Sequence, residues 1–156
     1  MINIIKAKVE DSKIITEIKK LAYNDETRRF GPGRDGGPPG YESQEETESL
    51  IKNYLFYKIM HDNMIIGFFW LHGEDNKVYE LEDLCIHPEY HNKGYGFNTL
   101  KLMEELHPQI KKWVLGTPYY SVRNQHLYEK VGYKKTGQTE DGFLFFYEKL
   151  IGSTIC

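Results

Sequence analysis

The stretch "HPEYHNKGYG" (87–96) lies between two apolar segments and contains the closely spaced glycines Gly94 and Gly96. The segment before it is typical of a β-strand, and the segment after it is typical of an amphipathic helix. N–H groups in the first turn of a helix lack partners within the helix, and the helix dipole adds about half a positive charge. Glycines let a ligand approach this backbone closely. The stretch therefore predicts an anion-binding turn beside Lys93; the alternative is an ordinary turn.

Two common phosphate-binding motifs are missing from the sequence. It contains neither GxxxxGK[ST] nor a GxGxxG followed by an acidic residue about 20 positions later. The predicted anion site therefore belongs to neither of the two nucleotide-binding folds that these motifs define.

The size and composition of the chain favour a single domain spanning residues 1–156. Its residues are 40% hydrophobic, and no apolar run approaches the length of a membrane span. The first residues, Met-Ile-Asn-Ile-Ile-Lys, do not resemble a signal peptide. We therefore expect a cytoplasmic protein without a membrane partner.

The charge and the cysteines exclude further classes of protein. The net charge is −3 and the basic residues are spread thinly, which argues against nucleic-acid binding and is compatible with an amine substrate. Cys85 and Cys156 form no CxxC motif, and the only close histidine pair, His87 and His91, is separated by Pro88. We therefore expect no metal site and no disulfide framework.

In the first third of the chain, residues 2–8 predict a strand, which is followed by a helix capped at Asp11 or Ser12. Helical periodicity is lost from residue 24 onward, and "FGPGRDGGPPG" (30–40) predicts a loop. This loop is either functional or an irregular surface segment. A capping-box pattern at Ser43 begins a second helix.

The remaining elements follow from alternation, helical spacing and turn residues. They are three strands in an antiparallel meander, a helix to about His107, a strand at 111–116, a helix at 121–131 ending at Gly132, and strands near 133–137 and 142–149. The order is β-α-α-β-β-β-α-β-α-β-β. It predicts an α/β fold of the α+β type, with a mixed, mostly antiparallel sheet flanked by helices.

The stretch "IHPEYHNKGYG" (86–96) resembles the pyrophosphate motif Gln/Arg-x-x-Gly-x-Gly/Ala of the GNAT superfamily of acetyl-CoA-dependent N-acetyltransferases. His91 stands where Gln or Arg is usual, and Asn92 stands where glycine is frequent. The resemblance implies acetyl-CoA as cosubstrate, held mostly by the main chain. The cofactor-binding residues it implies in this turn are His91, Asn92, Lys93, Gly94, Tyr95 and Gly96.

A second motif, "NQHLYEKVGYKKTG" (124–137), is similar to the helix after the fifth strand of that family. The family pattern Tyr-x-Lys-x-Gly-Phe/Tyr is matched by Tyr128, Lys130, Gly132 and Tyr133. Asn124 lies on the same helix face as Tyr128, so both are implied at the cofactor. The resemblance implies that Tyr128 protonates the leaving thiolate, with a phenol pKa near the usual 10. The alternative is a core tyrosine.

The segment "YELEDL" (79–84) supplies candidates for the proton acceptor. Resemblance to the polyamine acetyltransferase branch implies Glu82, and an ungapped match to the histone-acetylating branch implies Glu80 instead. Strand alternation places both on one face, and the alternative is that both are solvated surface acids. The resemblance also implies that the pantetheine arm binds the main chain of Leu84, Cys85 and Ile86 where two strands splay apart. A nucleophilic role for Cys85 is not expected.

The resemblance implies direct attack of a substrate amine on acetyl-CoA in a ternary complex. A small primary amine or polyamine is the preferred acceptor, and a peptide or protein amine or an aminoglycoside remains an alternative. Two other classes are a non-catalytic acyl-CoA-binding module and a protein-interaction domain. Many relatives dimerise, and the apolar strand "FLFFY" (143–147) would suit a homodimer.

Aromatic and acidic residues between positions 23 and 57 could line an amine pocket, although surface and core positions suit them better. These residues are Tyr23, Asp25, Glu26, Tyr41, Tyr54 and Tyr57.

Overall fold

The computed structural model describes residues 1–73 and 75–152, which leaves Cys156 outside the described part. The predicted order of elements is confirmed. The elements are β1 (Asn3–Lys6), α1 (Ser12–Arg29), α2 (Gln44–Asn53), β2 (Leu55–His61), β3 (Met64–His72), β4 (Val78–Ile86), α3 (Tyr95–Leu106), β5 (Lys112–Pro118), α4 (Val122–Val131), β6 (Lys134–Gln138) and β7 (Leu144–Leu150).

All seven strands form one sheet in the order β1-β2-β3-β4-β5-β7-β6. The β4–β5 pair is parallel and the other neighbours are antiparallel. This arrangement confirms the predicted mixed, mostly antiparallel sheet flanked by helices. In the described residues, no helix combines the length and the hydropathy that crossing a bilayer requires.

Two hydrophobic cores lie on the two faces of the sheet. The core under α3 and α4 contains Leu100, Met103, Tyr128 and Val131 together with Trp113 of β5. The core under α1 contains Ile15, Ile18, Ala22, Phe56, Phe68 and Cys85. Strand β4 contributes to both cores and therefore lies between the two helix layers.

Helix α1 extends further than apolar periodicity predicts, because polar contacts support its last turns. The Thr27 hydroxyl donates to the carbonyl of Tyr23 at 2.9 Å, and Arg29 pairs with Asp25 at 2.9 Å. The expectation that residues 24–29 are irregular is therefore wrong. The predicted loop at 30–40 is confirmed, and its Gly36 N–H donates to Oδ1 of Asn24 at 3.1 Å, which holds the loop against α1.

A β-bulge interrupts β4 at Glu82. Asp83 pairs with Trp70 of β3 and Leu81 pairs with Leu71, so Glu82 is an extra residue on its strand. A bulge shifts the alternation of side chains between the two faces of a sheet. Leu81 therefore packs in the core under α3 and α4, whereas Asp83 faces α1.

Strands β4 and β5 separate after a short shared ladder. Their paired residues are Val78 with Lys112, Tyr79 with Trp113, and Glu80 with Val114. Beyond these pairs β4 continues to Ile86 and β5 continues to Pro118, and the two strands diverge. This divergence opens a cleft in the middle of the sheet.

Candidate active site

The cleft between β4 and β5 has a volume of about 520 Å³. It is lined by one side of α1, the second half of β4, the turn before α3, the end of β5 and one face of α4. The lining residues that the sequence predicted for the site are Glu82, Leu84, Cys85, Ile86, His91, Asn92, Gly94, Tyr95, Gly96, Asn124 and Tyr128. Glu80 and Lys93, also predicted, lie outside this lining, although Glu80 is next to Glu82 in space.

The turn after β4 has the backbone geometry of an anion-binding helix start. Asn92 and Gly94 both have left-handed conformations, with φ of 62° and 83°. Gly94 caps α3, and its carbonyl accepts from the N–H of Asn98 at 3.0 Å. The next residues, Tyr95 and Gly96, line the cleft with first-turn N–H groups that have no helical partner.

His91 ties this turn to the end of β4. Its Nε2 lies 2.6 Å from the carbonyl oxygen of Ile86, so Nε2 carries a proton and donates it. Its Nδ1 lies 3.9 Å from Oδ2 of Asp25 in α1. Burial, with a smaller contribution from Arg123, lowers the pKa of His91 and favours the neutral ring. A histidine at this motif position therefore holds the turn in place through its side chain.

Tyr128 lies in α4 at the inner end of the cleft, and Asn124 lies one turn before it. Its ring packs near those of Tyr133 and Tyr147, with centroids 5.8 Å and 6.3 Å away. Burial raises the pKa of the Tyr128 phenol well above its ordinary value. The expectation of an ordinary phenol pKa is therefore wrong, and the phenol remains protonated at neutral pH.

Glu80 and Glu82 lie close together although the bulge at Glu82 interrupts the strand alternation, and His72 at the end of β3 joins them. Ligand atoms of the three side chains all lie within 4.8 Å of one another, and Nδ1 of His72 is 3.7 Å from Oε1 of Glu82. Burial, followed by the neighbouring charge of Glu80, raises the pKa of Glu82 and makes it a stronger base. The spacing would also suit a metal ion, but no second feature of the described residues supports one.

Asp83 and Cys85 face α1 and line the cleft. The Tyr23 hydroxyl donates to Oδ1 of Asp83 at 2.8 Å, and the Cys85 thiol lies 3.5 Å from the same oxygen. Burial raises the pKa of Asp83 and of the Cys85 thiol. A thiol that remains protonated is a poor nucleophile, which agrees with the expectation for Cys85.

An ion pair joins α1 to α4 at the other side of the cleft. Nη2 of Arg123 lies 2.9 Å from Oε2 of Glu26, and Nη1 lies 3.8 Å from Oδ2 of Asp25. The guanidinium also lies over the ring of Phe30, at 5.5 Å. Sequence reasoning did not single out Arg123 or His72, because each is positioned by a contact with a residue distant in sequence.

The six candidates for an amine pocket separate into two groups. Tyr23 and Glu26 line the cleft. The other four have structural contacts: Asp25 pairs with Arg29, Tyr41 bonds Asn24, Tyr54 packs against Trp70, and Tyr57 bonds His107.

The sequence model of the acetyltransferase (GNAT) family matches residues 19–133. This match spans most of the chain, and the chain therefore belongs to this family. The predicted resemblance to this family is confirmed.

The chain is also similar to a curated protein. The uncharacterized protein YrkN of Bacillus subtilis is 28% identical over 100 residues, which are 64% of this chain and 54% of YrkN. The aligned part of the chain thus spans about half the length of that relative.

Two solved structures share the fold. The PaiA N-acetyltransferase of Thermoplasma acidophilum, solved with coenzyme A, has a TM-score of 0.82 at 23% identity, covering 97% of this chain and 99% of that one. The spermidine N-acetyltransferase of Vibrio cholerae, solved with CoA and spermine, has a TM-score of 0.72 at 16% identity, covering 96% and 95%.

Proposed function

We propose that this protein, acting as a single catalytic domain, transfers the acetyl group of acetyl-CoA to a primary amine by direct attack in a ternary complex. The acceptor that we favour is a small amine or a polyamine. The observation that carries the proposal is the cleft itself, where the turn before α3, Tyr128 and Glu82 line one continuous cavity.

The cosubstrate would occupy the cleft from the helix start to the inner end of β4. The diphosphate would accept hydrogen bonds from main-chain N–H groups between Asn92 and Gly96, where a helix start favours an anion. The pantetheine arm would lie along Leu84, Cys85 and Ile86 like an added strand, because this edge of β4 is not paired with β5. Asn124 would contact the same arm from α4.

The reaction would require a proton acceptor and a proton donor near the thioester. An alkyl amine is mostly protonated near neutral pH, with a pKa of about 10.4, so Glu82 would accept a proton before or during attack. The amine nitrogen then bonds to the carbonyl carbon, the C–S bond breaks, and the nitrogen gives up a second proton, which would finally replace the one that Tyr128 donates. Tyr128 would donate its proton to the departing thiolate. Burial raises the pKa of Tyr128 and would also raise that of a thiol placed beside it, which favours proton transfer to the departing thiolate.

Carboxylates at the cleft support a cationic acceptor. Glu26, Glu82 and Asp83 all line the cavity, and the net charge of the chain is −3. The spermidine enzyme shares only the fold at its low identity, so it does not identify the acceptor. The experiment below therefore also includes a peptide and an aminoglycoside as acceptors.

The test is incubation with acetyl-CoA and separate acceptors: an alkylamine, a diamine, a peptide with a free N-terminus and an aminoglycoside. Release of free thiol that depends on a small amine supports the proposal. Release only with the peptide or the aminoglycoside assigns that acceptor instead. A CoA-induced rise in melting temperature without transfer to any amine indicates a non-catalytic acyl-CoA-binding module.

A further inference from the structure

His91 lies in the turn before α3, and its imidazole ring connects this turn to β4 and to α1. The side chain is only 15% exposed. Because Nε2 donates to the carbonyl oxygen of Ile86 at 2.6 Å, the neutral ring carries no proton on Nδ1. Nδ1 therefore presents a lone pair to Oδ2 of Asp25, which lies 3.9 Å away.

Oδ2 of Asp25 is buried and has no hydrogen-bond partner within residues 1–73 and 75–152. The other oxygen, Oδ1, accepts from Nε of Arg29 at 2.9 Å. While His91 is neutral, Nδ1 and Oδ2 are both acceptors, and a proton on Nδ1 would turn them into a donor and an acceptor. Their separation is about 1 Å longer than a charged N–H···O bond. A small movement of the turn would therefore form this bond.

The charged side chains around the ring explain why His91 is neutral without a ligand. Those that act on it are Asp25 and Arg29 of α1 and Arg123 of α4, and Arg123 pairs with Glu26 at 2.9 Å. The two arginines and the two carboxylates balance in formal charge. A proton on His91 would add an uncompensated charge to this cluster, which burial penalises. Burial and, to a smaller extent, Arg123 accordingly hold the pKa of His91 below its ordinary value.

A diphosphate at the helix start would change this balance. His91 and Asn92 both line the cleft, so an anion on the N–H groups from Asn92 to Gly96 would lie beside the ring. A nearby negative charge favours the protonated form of a histidine. The remaining charged residues of the turn, Glu89 and Lys93, are exposed to solvent, where charges are well screened.

We propose that binding of the CoA diphosphate places a proton from solvent on Nδ1 of His91, and that the resulting imidazolium pairs with Asp25 and holds the turn against α1. This inference rests on the proposed function. It makes His91 a positioning residue, which acts on the diphosphate through its charge and through the main chain of the turn. By thermodynamic linkage, a ligand that favours the protonated ring binds more tightly where the ring is already protonated. A glutamine, which is usual at this motif position, could not respond in this way.

The first experiment follows the imidazole NMR signals as a function of pH, with and without dephospho-CoA. This probe keeps the diphosphate but lacks the phosphate monoester of CoA, which titrates at about pH 6 and would add its own pH dependence. The His91 signal is the one that is missing from the spectrum of His91→Gln. If that variant does not fold, sequential assignment of the wild type identifies the signal. We expect the ligand to raise the pKa of His91 by about one unit. An unchanged or lowered pKa would overturn the inference.

The second experiment measures the affinity for dephospho-CoA by calorimetry from about pH 5.5 to about pH 8. An increase of one pKa unit corresponds to binding up to about tenfold tighter once His91 is protonated, so a change of about threefold or more is expected in this range. His91→Gln should bind the probe with little pH dependence. His87→Gln is the matched control, because His87 belongs to the same turn but does not line the cleft, and it should retain the wild-type dependence.

The outcomes separate this inference from the proposed function. If His91→Gln retains the pH dependence, another group carries it and the inference is wrong. Tight binding of dephospho-CoA to the wild type with an affinity that does not change with pH would also overturn the inference, while leaving acetyl transfer intact. If neither dephospho-CoA nor acetyl-CoA binds the wild type, the proposed function itself is rejected.

Discussion

The hydroxyl of Tyr23 donates a 2.8 Å hydrogen bond to Oδ1 of Asp83, which joins α1 to β4 beside the cleft. Burial raises the pKa of Asp83, and this hydrogen bond partly opposes the shift. The pair connects the helix that carries Glu26 to the strand that carries Glu82. Its strength therefore affects both the stability of the fold and the width of the site.

Tyr23→Phe should lower the free energy of unfolding by about 1–3 kcal/mol near neutral pH, because it leaves a buried carboxylate without its donor. Urea unfolding measures the change. Tyr119→Phe is the matched control, since Tyr119 is 54% exposed, and it should change stability little. Equal effects of the two substitutions would show that the Tyr23–Asp83 bond contributes nothing specific.

Asp83→Asn should change the pH dependence of stability in a defined direction. The folded-state pKa of Asp83 is raised above its unfolded value. Its contribution is therefore fully present below about pH 4 and is lost as pH rises through the folded pKa. The stability of the wild type relative to Asp83→Asn should fall from about pH 4 upward. If the difference in unfolding free energy between the wild type and Asp83→Asn stays constant with pH, the raised pKa of Asp83 is contradicted.

Tyr128→Phe should lower kcat by about 10²-fold or more, the usual effect of losing a general acid, and should change acetyl-CoA affinity little. Tyr133→Phe is a stringent control, because Tyr133 is also buried and its hydroxyl has no partner among the described residues. That variant should keep nearly full turnover. Unchanged kcat in Tyr128→Phe would remove the acid role.

The roles of Glu80 and Glu82 can be distinguished by the pH dependence of kcat/KM in variants of each residue. Glu82→Gln should lower kcat/KM by about 10²–10⁴-fold if Glu82 is the base. Glu80→Gln should retain activity. The acidic limb of its pH profile of kcat/KM should shift to lower pH, because removing the Glu80 charge lowers the pKa of Glu82. The opposite pattern, with activity lost in Glu80→Gln and retained in Glu82→Gln, would assign the base to Glu80.

Gly94→Ala should weaken CoA binding by about twofold to thirtyfold, or about 0.5–2 kcal/mol, by distorting the helix start that holds the diphosphate. Gly33→Ala is the matched control: both glycines have left-handed φ angles, 83° and 87°, and an added Cβ meets no atom within 4 Å at either position. Both variants should lose similar stability. CoA titration should separate them, and equal affinities would contradict the diphosphate assignment.

Local signals in the sequence were sufficient to predict the order of elements. The turn at Asp62 and Asn63, where both residues have positive φ, and the helix end at Gly132 follow from residues that tolerate that conformation. The family resemblance implied that two strands splay apart at the cosubstrate site. In the structure β4 and β5 separate beyond their three paired residues.

Features that depend on distant contacts were not predicted. The bulge at Glu82 arises from pairing with β3, which no local pattern in β4 reveals. Arg123 is 97 residues from its partner Glu26. The raised pKa of Tyr128 reflects burial contributed by several elements. These features also define the chemistry of the cleft.

Because three residue pairs join β4 to β5, strands β1–β4 and strands β5–β7 form two parts of the sheet that are connected by a short ladder. A ligand that hydrogen-bonds to the unpaired edge of β4 would extend this connection, so cosubstrate binding would couple the two parts mechanically. Amide hydrogen exchange should then slow in β5 and β7 as well as at the contacted residues.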